Sequence, residues 1–146
     1  MAFRFTLEAV LTYRKNLEQR EYLALGKVQQ EISQVEALIK ECEERIAELC
    51  NRRAEESAKG IASIHLQEFY TRERILQRRC EELQIKLQEL KVKRQQCLKT
   101  YEQARQKREI LEELRSRQLH AYVVEQGRRE QQRLDDLYLS RRRRRN

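Results

Sequence analysis

The side chains best suited to hold a metal or act as nucleophiles are four cysteines, Cys42, Cys50, Cys80 and Cys97, and two histidines, His65 and His120. Zinc sites draw tetrahedral ligands from closely spaced pairs such as C-x-x-C. No such pair occurs here, and the histidines lie 55 residues apart. The expectation is no metal and no cofactor, with reduced thiols packed as small apolar residues. The chain also lacks a G-x-x-x-x-G-K-[ST] phosphate loop, a G-x-G-x-x-G turn and an H-E-x-x-H pair. Its many carboxylates are what the solvated face of a helix carries. No catalytic residue is expected, and the chain is not read as an enzyme.

What, then, must these residues be mounted on? Of 146 residues, 38% are charged and 6% aromatic, and proline and tryptophan are absent. Ala, Leu, Glu, Gln, Lys and Arg dominate, all good helix formers. With a regular apolar period this composition predicts long helices or coiled coil, an all-α fold in a single domain. The start, "MAFRFTLEAV", has no apolar run long enough for a signal peptide or a membrane span, which predicts a cytoplasmic chain.

The period is sharp. Leu25, Val28, Ile32, Val35, Ile39, Cys42, Ile46 and Leu49 alternate at spacings of three and four. With Ile32, Ile39 and Ile46 at a, Val28, Val35, Cys42 and Leu49 fall at d, the seam of a coiled coil. Downstream, Phe69, Leu76, Leu83, Leu90, Cys97, Ala104 and Leu111 form a second d row. Its a row mixes Leu66, Cys80, Leu87 and Tyr101 with Glu73, Arg94 and Arg108. Polar a residues cost stability but select register and partner.

Between the two seams lies "AKGIASIHL", with one of the three glycines. Gly60 suits the left-handed conformation that ends a helix, and Ser63 suits an N-cap. This predicts a helix over about 6–57, a hinge at 58–63, a helix over about 64–140 and a basic tail at 141–146. The short connection makes the pair an antiparallel coiled-coil hairpin. A turn centred near residue 61 pairs residues whose numbers sum to about 122. That matches Ile46 with Leu76, Cys42 with Cys80, Ile39 with Leu83, Val35 with Leu87 and Ile32 with Leu90. It also sets Arg14 against Arg108, where the pairing should bend or loosen.

The first helix runs out opposite about residue 118, so the second should overhang. Residues 119–140 include Leu119, Tyr122, Val123, Leu134, Leu137 and Tyr138, an amphipathic stretch that calls for another molecule, the alternative being a frayed end. Of the net charge of +8, Arg141 to Arg145 supply five, leaving +3 on the rest. A basic tail attracts polyanions, yet the body is charge-balanced and lacks a basic stripe with interleaved stacking aromatics. No specific nucleic acid is expected as a partner.

Two stretches resemble a known family. The N-terminus reads F-R-F-T-L-E-A-V-L-T-Y-R from Phe3 to Arg14, and the hinge reads G-I-A-S from Gly60 to Ser63. These motifs, with the chain length, resemble the FliJ family, the coiled-coil component of the flagellar type III export apparatus. The resemblance implies a non-enzymatic, central-stalk-like rod that binds and stimulates a hexameric export ATPase and couples it to the membrane export gate. It also implies handling of export chaperones, and peripheral attachment at the cytoplasmic face of the inner membrane at the flagellar base. For ATPase contact the expected residues are Phe3, Phe5, Leu7, Leu119, Tyr122, Val123, Arg128, Arg129, Arg133, Leu134 and Leu137. For the gate they are Phe69, Tyr70 and Leu76 on the hinge side. The alternative reading is a generic coiled-coil scaffold.

Overall fold

In the computed structural model, which describes residues 2–145, two helices account for nearly all of the chain: α1, Glu8–Ala58, and α2, Ser63–Arg145. No strand occurs among the described residues. The two helices pack against each other in two compact units, one of Glu21–Tyr101 and one of Met1–Arg20 with Glu102–Asn146.

The connection forms as its residues dictate. The amides of Lys59 and Gly60 donate to the carbonyls of Glu56 and Ser57, at 3.1 and 3.3 Å, tightening the last turn of α1 and satisfying carbonyls that the helix leaves unpaired. Gly60 has φ of 81°, the left-handed region in which a Cβ is costly. Helix α2 then starts at Ser63, the residue expected to cap it, one residue earlier than expected. The Ala62 carbonyl accepts the first bond, from the Leu66 amide at 3.2 Å, so Ala62 stands at the cap and Ser63 is already helical. At the other end α2 continues through Arg145, past the expected boundary at 140. Arginine is a good helix former, and cations in the last turn complement the helix dipole.

In the 21–101 unit, Val28, Ile32 and Val35 of α1 bury themselves with Leu90 of α2, joined by Ile39, Leu83, Leu87 and Cys97. These are seam residues of both rows, in the layers that the 122 sum predicts. The next layer is set by sulfur. The buried Cys42 thiol donates to the Leu76 carbonyl at 3.2 Å, and Cys80, also buried, is hydrogen-bonded to Cys42. All four cysteines are free. Burial pushes the Cys80 thiol up from its ordinary range, and the Cys42 contact and the carboxylates of Glu43 and Glu81 add to the effect.

In the other unit the buried side chains are Phe5, Leu11 and Ala104. Its helices are tied by charge. Arg115 bonds Glu8 at 3.1 Å, Lys15 reaches Glu112 at 3.6 Å, and Arg108 contacts both Glu18 and Glu112. The expected clash of Arg14 with Arg108 is thereby avoided. Arg108 turns to Glu18, four residues on from Arg14 and so one turn along α1, while Arg14 lies over the Tyr13 ring. Arg108 is only 20% exposed, and the hydrogen bond to Glu18 raises its pKa still further, against the opposing effect of burial.

Candidate partner-binding surfaces

Three surfaces follow from this arrangement. The first is the end of α2. Ahead of α1 the chain is non-helical, and Phe3 meets Tyr122 with ring centroids 5.6 Å apart while the Arg115 guanidinium lies 5.9 Å from the Phe3 ring. This leading segment covers more of α2 than a count of helical residues allows. Tyr122 is half-buried against Phe3, Leu119 is half-buried too, and the exposed stretch begins at Val123 rather than at 119. Phe5 is 5% exposed and belongs to the core of its unit, so it drops from the expected partner contacts, while Leu7 stays exposed. Phe3 is half-buried against Tyr122.

Beyond Tyr122 the side chains of Val123, Val124, Leu134, Leu137, Tyr138 and Leu139 are all more than half exposed. At about 100° per residue, Val123, Leu134 and Leu137 fall within roughly 60° of arc, one stripe along the helix. Arg128 and Arg133 are exposed, and Arg129 holds Glu125 of its own helix at 3.1 Å, an exposed pair of small energetic weight. The five exposed arginines, Arg141 to Arg145, lie on the same continuous helix. This stretch can offer an apolar stripe with cationic flanks to a partner.

The second surface is the hinge side of the 21–101 unit. Phe69 and Leu76 are half-buried in their seam, as d positions should be. Tyr70 is exposed on one side and covered on the other by the Arg53 guanidinium, 4.8 Å from its ring. Arg53 is itself fixed to Glu73 at 2.7 Å, and the Cys50 thiol donates to the same carboxylate at 3.5 Å. Burial, reinforced by the Glu73 carboxylate, raises the Cys50 pKa. Two apolar residues that the sequence reading passed over belong here: Ile64 and Ile75, 68% and 63% exposed. Ile75 lines a groove of about 300 Å³ with Leu49 and Leu76, edged by Arg45, Arg52 and Arg72. Their signal was legible as isoleucines standing off the a and d rows.

The third surface, a larger groove at the end of the 21–101 unit away from the hinge, is taken up below. Among the described residues no group of three or more His, Cys, Asp or Glu side chains is placed to hold a metal ion. No described helix is long and apolar enough to cross a membrane.

Two long helices packed against each other along seams of three-four spacing define a class, the coiled-coil hairpins. Within that class, the family model described as Flagellar FliJ protein matches residues 3–146. The chain belongs to the FliJ family and is a component of the flagellar export apparatus. No curated protein and no solved structure matches it.

Proposed function

We propose that this chain is a non-enzymatic, central-stalk-like element on the cytoplasmic side of the flagellar base that binds and stimulates the hexameric export ATPase and couples it to the membrane export gate. The observation that carries the reading is the end of α2, where six large apolar side chains beyond Tyr122 are exposed on one uninterrupted helix. Exposed apolar side chains of this density call for a covering partner. A ring of six identical subunits encloses one axial channel. A single asymmetric helix in that channel presents different faces to different subunits, and it shifts their states to the extent that its contacts differ between states. Val123, Leu134 and Leu137 supply the apolar contact, with Leu7 and Leu119 at its near edge. Arg128, Arg129 and Arg133 supply attraction, and the arginine run speeds encounter.

The hinge-side surface, with Tyr70, Ile64 and Ile75 exposed, is the element for the gate, and Phe69 and Leu76 serve mainly to hold it in shape. Handling of export chaperones belongs to the same reading. The test is ATP turnover by the cognate ATPase with the full chain and with a chain ending at Tyr122. Loss of stimulation at retained helicity of the remaining residues is expected. Undiminished stimulation by the shortened chain would refute the assignment.

A further inference from the structure

The groove at the end of the 21–101 unit away from the hinge has a volume of about 700 Å³ and is floored by Tyr22, Leu23, Leu25, Gly26 and Leu98. Tyr22 and Leu23 are each 56% exposed. Three features set this place apart. The first is charge. Residues 22–30 and 91–99 supply the whole lining, and together they hold five cations, Lys27, Lys91, Lys93, Arg94 and Lys99, and no carboxylate. A chain with 24 acidic residues in 146 would ordinarily place about three in such a span. The second is Gly26. Glycine is a poor helix former in a helix interior, yet nothing lies within 4 Å of where its Cβ would be. The fold of this chain therefore does not require glycine there, whereas a molecule lying against α1 gains room from it. The third is the lining itself, in which an apolar floor is edged by Lys27 and Arg94.

We infer that this groove is a docking site for an acidic amphipathic helix of another protein, laid along it for two to three turns with a large apolar side chain over Gly26 and carboxylates toward Lys27 and Arg94. An apolar floor rewards an apolar stripe, and cationic edges without a competing carboxylate reward acidic flanks. A polyanion without an apolar stripe gains nothing from Tyr22, Leu23 and Leu98. The site lies apart from the end of α2, and the inference does not rest on the ATPase reading.

The experiment uses the full chain and two synthetic 21-residue helical peptides with the same leucine stripe, one flanked by glutamates and one by lysines, read by fluorescence anisotropy. The glutamate peptide should bind at least tenfold more tightly than the lysine peptide, with the gap narrowing as salt rises. Gly26→Leu should weaken it about tenfold without lowering the melting temperature, since its side chain enters the groove and a Cβ at this position meets nothing within 4 Å. Lys27→Glu with Arg94→Glu should reverse the preference in favour of the lysine peptide. Binding of the glutamate peptide that is unchanged in Gly26→Leu would locate it on the Arg141–Arg145 run and overturn the inference. So would displacement of the peptide by a single-stranded oligonucleotide or a phosphatidylglycerol vesicle in the wild type but not in Gly26→Leu, or a peptide-free dimer abolished by Gly26→Leu.

Discussion

Residues 21–101 and the unit formed by 1–20 with 102–146 are built from the same two helices, yet they are held in different ways. The first closes on apolar layers, with Val28, Ile32, Val35 and Leu90 all under a tenth exposed. The second buries Phe5, Leu11 and Ala104 and otherwise spans its helices with ion pairs from Arg108, Arg115 and Lys15. Apolar layers supply stability because each buried aliphatic side chain is worth about 1.5–3 kcal/mol. Partly exposed ion pairs supply less energy but fix which residues may face each other. Stability and register are thus concentrated in different places, and past the last of the charged pairs between the helices α2 carries six apolar side chains that are more than half exposed.

The largest effect expected from this contrast is at Ile32, which is 1% exposed. Ile32→Ala should cost about 2–5 kcal/mol, read as a lowered midpoint in urea melts. A loss below 1 kcal/mol would deny the 21–101 seam its role. Smaller is Glu18→Gln, which weakens a charged hydrogen bond to Arg108 and should cost about 1–3 kcal/mol. Because Glu112 still holds Arg108, the low end is favoured, and high salt should shrink the difference between variant and wild type. Gly60→Val should cost about 1–2 kcal/mol, since a β-branched residue resists the left-handed conformation. The hairpin of the 21–101 unit should nonetheless form, because its layers do not include the turn.

The smallest effect is electrostatic. The hydrogen bond from Arg105 lowers the pKa of Glu109, opposed by slight desolvation and assisted by the charges of Arg105 and Arg108. A carboxylate with a depressed folded pKa adds stability above its unfolded pKa and loses it as pH falls through the folded value. Glu109→Gln should therefore slightly flatten the acid limb of the stability curve and leave the neutral region little changed. A steeper acid limb would contradict the pairing.

Much of this was legible in the sequence. The three-four alternation from Leu25 to Leu49 is a geometric statement about one helix face, and so is the seven-residue row from Phe69 to Leu111. A turn at Gly60 fixed how they meet, and Val35, Ile32, Leu87 and Leu90 lie in the resulting core. What escaped depends on reach and on context. Arg108 is long enough to choose Glu18 over the residue directly opposite, which a Cα register does not anticipate. Phe5 is buried from a non-helical segment that has no period to read. Ile64, Ile75, Ile85 and Val92 are each at least 60% exposed, and a search for seam residues discards apolar side chains that stand off the seam. Of the residues proposed for partner contact, those on the end of α2 could be named from amphipathicity alone, but the point at which cover ends required the Phe3 and Tyr122 contact.

The central claim, that the exposed stripe beyond Tyr122 is what engages the export ATPase, is tested most directly by titrating that ATPase with the full chain carrying Leu134→Asp and Leu137→Asp and measuring ATP turnover. Both side chains are more than half exposed, so the substitutions should leave the melting temperature within a few degrees of wild type. The account predicts that stimulation is lost or shifted at least tenfold to higher concentration. Stimulation with unchanged midpoint and amplitude would contradict it.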